Sequence, residues 1–215
     1  MSVMHRSLAT AVALTAATAL NGQTPAAPPA GAAPPAPAIP RAAASTRASV
    51  EVAINMRMIG GTWRPAAALS GPARIAIDYG QPHARGRNVV GDLVPLDTAW
   101  RSGANVATHL TTEVDVTIGN VFVPRGLYTL FTVPSSTGWK LIISKQVFEW
   151  GTDYDPKQDF GRVDMKTRTL REPIESLTFW LIPTPENAPS TALPHGVLRM
   201  AWGTTEASVD WRVGR

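Results

Sequence analysis

The stretch from Tyr79 to Leu110, YGQPHARGRNVVGDLVPLDTAWRSGANVATHL, concentrates side chains suited to chemistry in about thirty residues with little regular pattern. Loops of that length inside a domain tend to be functional or to form ordered Ω-like segments. Arg85, Arg87 and Arg101 offer planar donor forks that match carboxylate, phosphate or sulfate groups. Trp100 offers a flat apolar face for a sugar ring or a guanidinium, and Asn105 and Thr108 are able to hydrogen-bond a ligand. His83 and His109 titrate near neutral pH. Arg85, Arg87, Trp100, Arg101, Asn105, Thr108 and His109 therefore form the candidate site, expected to hold a glycan or small anionic molecule. A structural alternative stands beside this reading. An arginine can tie loop carbonyls together, Asn105 can cap a turn, and Trp100 can plug the end of a β-sandwich.

Other chemistries find less in the sequence. A hydrolytic enzyme would use His83 or His109 with Asp78 as acid and base. No serine sits in a G-x-S-x-G elbow, and there is no P-loop, dinucleotide fingerprint or zinc-protease helix. His109 and Glu113 lie four apart, which on a strand separates them by roughly 13 Å, too far to share an ion. Asp153, Asp155 and Asp159 in EWGTDYDPKQDFGRVD carry oxygen ligands suited to Ca²⁺ but fit no EF-hand spacing, so a solvated acidic loop is expected. No metal and no cofactor are expected. Trp150 and Tyr154 of this segment are able to join the first loop as an aromatic wall.

The elements that position these groups read as strands. ARIAIDYG (73–80) sets Ile75, Ile77 and Tyr79 on one face against Arg74, Ala76 and Asp78 on the other. VATHLTTEVDVTIG (106–119) reads as one long strand or two shorter ones. GLYTLFTVP (126–134) is apolar on both faces, as in a central strand, and pairs through PSSTG with WKLIISK (139–145). ESLTFWLIP (175–183), GVLRMAWG (196–203) and EASVDWRV (206–213) follow, the last two expected to form a tight hairpin at Thr204 and Thr205. Seven to nine strands without intervening helices imply an all-β, antiparallel β-sandwich or jelly-roll-like domain over residues 47–215.

The N-terminal region differs in kind. MSVMHRSLATAVALTAATALNG has a short basic start, an apolar run and small residues, the layout of a secretory signal peptide (1–22). The Pro- and Ala-rich residues 23–46 read as a disordered linker. These features predict a periplasmic or secreted protein without a transmembrane span once the signal is removed, the alternative being a retained anchor. From residue 47 onward the basic and acidic residues nearly balance, which argues against a nucleic-acid partner despite a pI near 9.8. With no cysteine, disulfides, thiolate metal sites and a cysteine nucleophile are excluded. An assembly component of the cell envelope, pairing through exposed strands, remains a further alternative.

Several spaced motifs occur together in order: YGQPHARGR, GDLVP, WRSGANVAT, VPRGLYTLFTVP, WKLIISK, Trp150-Gly151 with Tyr154, and Asp159 before RVDM. In this the chain resembles a secreted bacterial family catalogued as domain of unknown function 2911, over roughly residues 72–182. The resemblance implies an exported β-sandwich-like domain and carries no activity to transfer. Residues 56–71, MRMIGGTWRPAAALSG, depart from the pattern as an insertion between the first two strands.

Overall fold

The computed structural model describes residues 43–54, 56–59, 62–65, 73–185 and 193–215; the expected signal peptide and nearly all of the linker lie outside them. The chain enters through β1 (Thr46–Ile54), then the short β2 (Met56–Ile59) and β3 (Thr62–Pro65), which pair only with each other. The expected insertion thus contains a small hairpin. β4 (Ala73–Gln81), β5 (Thr108–Thr112), β6 (Val116–Ile118) and β7 (Val121–Val123) follow, then the hairpin of β8 (Gly126–Ser135) and β9 (Gly138–Ser144). A single 3-10 turn at Pro156–Gln158 leads into two long strands, β10 (Asp159–Pro183) and β11 (His195–Val213). All pairings of the named strands are antiparallel, in the order β1-β4-β5-β8-β9-β10-β11-β6-β7.

β10 makes this one sheet into two layers. Its first residues, Asp159–Met165, pair with β9, and the remainder, Lys166–Pro183, pairs with β11. The sheet thereby folds over on itself around one apolar core. Ile75, Ile77 and Tyr79 of β4 and Leu141 and Ile143 of β9 face inward from one side; Leu177, Phe179, Met200, Val209 and Trp211 face inward from the other. The Tyr79 ring meets Phe179 edge-on at 4.8 Å, and its hydroxyl accepts a bond from the Phe179 N–H at 3.4 Å. The all-β antiparallel fold expected from alternation is the one observed.

Two expectations need correction. Residues 196–213 are not two strands joined by a turn at Thr204 and Thr205 but one continuous β11. Both halves of it bond to β10, and Gly203, at φ +58°, supplies a bend rather than a reversal. The acidic segment 149–164 is a loop only as far as Gln158, and β10 begins at Asp159.

The outward face of the second layer carries a half-shielded ionic cluster. Glu206, only 9% exposed, accepts two bonds from Arg168, at 2.6 Å from Nε and 2.8 Å from Nη2, with Arg199 Nε 3.5 Å away. The Arg168 bonds hold the Glu206 carboxyl below its ordinary range. A depressed carboxylate pKa contributes stability above the unfolded value, and that contribution disappears as pH falls through the carboxylate range. Thermal unfolding followed from pH 7 to pH 3 should therefore show a loss on acidification that Glu206→Gln reduces.

Candidate functional site

The loop between β4 and β5 is ordered by its own polar groups. His83 Nδ1 lies 2.7 Å from Ser176 Oγ, and the Ala84 and Arg85 N–H groups donate to Glu175 O and Oε1 at 2.8 and 2.7 Å. Arg87 donates through Nε to Ala84 O and through Nη2 to His83 O, both at 2.9 Å, while Arg85 Nη2 reaches Ala44 O at 2.8 Å. Here the arginines tie carbonyls together. Trp100 exchanges both backbone bonds with Thr132 at 2.8 Å and stacks on Trp202 with centroids 5.9 Å apart. Its ring packs, partly buried, against the core.

The RSGAN turn is held tightly against β4. Ala104 N–H donates to Gly80 O at 3.0 Å, and Ser102 Oγ, fully buried, donates to Thr132 Oγ1 at 3.2 Å. Ser102 and Asn105 adopt left-handed backbone, at φ +55° and +62°. Thr108 is fully buried, and its hydroxyl donates to Ser102 O at 3.0 Å. Asn105 is exposed at the turn, while the Thr108 hydroxyl is taken up within the loop.

Arg101 and His109 behave differently, because both lie under the segment 148–151. The Arg101 guanidinium sits 5.9 Å from the centre of the Trp150 ring and makes only long bonds, at 3.4 Å, to Gly103 O and Trp150 O. No carboxylate pairs with it among the described residues, and burial pulls its pKa down. Gly151, at φ +87°, lies so close that a Cβ there would meet Arg101 Cβ at 2.7 Å and Ala107 Cβ at 2.9 Å. Ala107 N–H donates to Glu149 O at 3.3 Å, and the Phe148 ring tilts against His109 at 6.1 Å.

Beneath this cover the ladder registers set Ser49, Asp78, His109, Thr129, Ser144 and Asp159 side by side on the outer face of the first layer. Most of these groups have partners. Asp78 lies 3.5 Å from Arg47, Ser144 accepts from Gln146 N–H, and Asp159 accepts from Arg162 and Tyr154. His109 Nε2 and Thr129 Oγ1, directly opposite one another, are buried with no hydrogen-bond partner among the described residues. Burial and the Arg47 charge push the His109 pKa below the usual histidine value, with Asp78 opposing, so the ring is neutral at pH 7.

The cover is fixed at its far end. Tyr154 packs on the buried Phe131 at 5.0 Å, donates to Asp159 and accepts from Arg162 Nη2 at 2.7 Å. Burial and the Asp159 carboxylate raise the Tyr154 pKa to about 12. Phe148 and Trp150, by contrast, are 80% and 56% exposed, and Phe148 holds left-handed backbone at φ +62°.

The structure thus divides the candidate set, taking Arg85 and Arg87 to one edge of the sandwich, Trp100 to its end, and Arg101 and His109 to the outer face. His83 is bonded to Ser176 rather than to Asp78. Among the described residues no three His, Asp or Glu side chains gather where an ion would fit, and Asp155 instead caps the 3-10 turn. Thr129 and Phe148 were not singled out from the sequence. For Phe148 the signal was the apolar outer face of β8 around Phe131, which has to be covered by something.

A family model described as Protein of unknown function (DUF2911) matches residues 64–211. The chain belongs to this family. No curated protein and no solved structure matches the chain. The DUF2911 match spans both layers, the RSGAN turn and the 148–151 cover. Among the described residues of this DUF2911 protein, no helix is long and apolar enough to cross a membrane.

Proposed function

We propose that this DUF2911 protein is an exported binding module that takes a small anionic ligand, a carboxylate, phosphate or sulfate, at Arg101. The carrying observation is a partly buried guanidinium with only weak carbonyl contacts and no acidic partner among the described residues. A cation so desolvated gains from an anion that its fork can hold with two bonds. His109 and Thr129 add a ring nitrogen and a hydroxyl whose hydrogen bonds are unmade. Trp150 and Phe148 supply the wall, and release of the left-handed Phe148 backbone, a strain of about 1 kcal/mol, favours its movement when a ligand enters. Export, to the periplasm or beyond the cell, rests on the signal-peptide pattern of residues 1–22.

The hydrolytic reading, His83 or His109 with Asp78, has less behind it: Asp78 is engaged by Arg47 and His83 by Ser176, and His109, though opposite Asp78 on the ladder, makes no hydrogen bond to it. Assembly through an apolar edge also has little support: Arg47, Ser49 and Glu51 of the edge strand β1 are polar.

The test is a thermal-shift and calorimetric titration of the purified protein with sulfate, phosphate and simple carboxylates. A ligand at a hundred times its Kd stabilises by about 2.7 kcal/mol, a rise of several degrees in Tm. Arg101→Ala should abolish that rise, Arg101→Lys should restore part of it, and Trp150→Ala should weaken it. Anion binding that is unchanged in Arg101→Ala removes the proposal.

A further inference from the structure

A different part of the molecule holds a cleft at a break in the β10–β11 ladder. Between Thr169↔Thr205 and Ile174↔Gly203 the β10–β11 ladder is interrupted, with Leu170, Arg171, Glu172 and Pro173 opposite Thr204 alone. Such a bulge opens the sheet and leaves a hollow beside the loop residues that cross it. The hollow is a cleft of about 290 Å³ lined by Arg87, Asn88, Val89, Glu175, Thr204 and Thr205 among others. That volume lies near the lower end of small-molecule sites.

Its walls are anchored independently of any ligand. Glu175 O accepts both Ala84 N–H, at 2.8 Å, and Trp202 Nε1–H, at 3.1 Å, and Val89 seats against Gly203, where a Cβ would lie 2.9 Å from Val89 Cγ2. A site held this way loses little freedom on binding.

The hydrogen-bonding inventory identifies what fits. Arg87 uses Nε and one Nη2 proton on loop carbonyls and keeps its Nη1 donors. Glu175 accepts the Arg85 N–H on Oε1 and keeps its other oxygen; Asn88 donates Nδ2 to Val90 O and keeps its amide oxygen. No hydrogen bond engages the hydroxyls of Thr204 and Thr205 among the described residues. One positive and one negative side chain line the cleft and form no ion pair with each other. Its charge is balanced, and it offers donors and acceptors together beside the apolar surfaces of Val89 and Ile174. A simple anion satisfies only the donors. A ring bearing several hydroxyls, each able to donate and accept, satisfies both sets, and its C–H face suits the apolar side.

We infer that the cleft between residues 84–90 and the β10–β11 bulge binds a neutral monosaccharide-sized polyol. Calorimetric titration of the full protein with D-glucose, D-galactose, D-mannose and N-acetylglucosamine tests this, with glycine and alanine as zwitterionic probes. The expected result is saturable binding of at least one sugar, weakened about tenfold in Glu175→Gln and in Thr205→Val, as for loss of one hydrogen bond. Both variants should keep the wild-type circular dichroism spectrum, and saturating sulfate should not displace the sugar. Absence of binding to every sugar, binding unaltered by both variants, displacement by sulfate, or a preference for the amino acids would each overturn the assignment.

Discussion

Gly80→Ala is expected to lower the stability of the domain by about 3 kcal/mol, the upper range for overpacking a closed site. A Cβ at Gly80 would lie 1.8 Å from Ala104 O and 2.7 Å from Ala104 C, and both are backbone atoms with no rotamer to change. The RSGAN turn would have to lift from β4, breaking the Ala104 N–H to Gly80 O bond and loosening Ser102 and Thr108 behind it. For a domain of this size the change corresponds to a fall in Tm of about 6–12 °C. Because Arg101 sits in the same turn, anion binding should weaken with it. Gly86→Ala is the matched control: a Cβ there meets nothing within 4 Å, leaving only the cost of φ +73°, about 1 kcal/mol. Equal effects at Gly80 and Gly86 in denaturant unfolding would exclude the close approach as the cause.

Thr129→Val is expected to act in the opposite direction, raising stability by about 1–2 kcal/mol while weakening anion binding. Valine matches threonine in shape, and the Thr129 hydroxyl is fully buried with no partner among the described residues. Removing it deletes an unmade hydrogen bond at no cost in packing. A stability gain at the expense of binding is the signature of a polar group retained for a ligand. A structural hydroxyl would give the reverse result, a less stable protein in a urea titration. Ser144→Ala provides that contrast, since Ser144 Oγ accepts from Gln146 N–H at 3.1 Å and its loss should destabilise.

The strands were legible wherever one face is buried and the other wet. Ile75, Ile77 and Tyr79 point inward as their alternation requires, and so do Ala207, Val209 and Trp211. Alternation failed at Gly203, because a glycine followed by two threonines reads equally as a turn or as a bend within a strand. Only the partner strand decides, and β10 continues past the bend. The start of β10 was hidden for a related reason: DFGRVDMKTR is polar on its outward side and follows an acidic loop. Within the site, residue type pointed to Arg101 and His109 but could not separate them from Arg85, Arg87, Trp100, Asn105 and Thr108. That separation depends on which carbonyls lie in reach of each side chain. Thr129 was illegible because an unmade hydrogen bond is a property of neighbours, not of the residue.

The sharing of β10 between the two layers also constrains how the chain reaches its fold. The β8–β9 and β10–β11 pairings join segments adjacent in sequence, so they close early and at small entropic cost. The β6–β11 pairing joins Val116–Ile118 to Trp211–Val213, almost a hundred residues later, and the second layer is incomplete without it. A chain lacking residues 211–213 would therefore hold the two long strands and the β6–β7 pair but leave β6 without its β11 neighbour. Trp211, buried in the core and paired with Ile118, thus stands at the contact that joins the most distant parts of the chain in this layer.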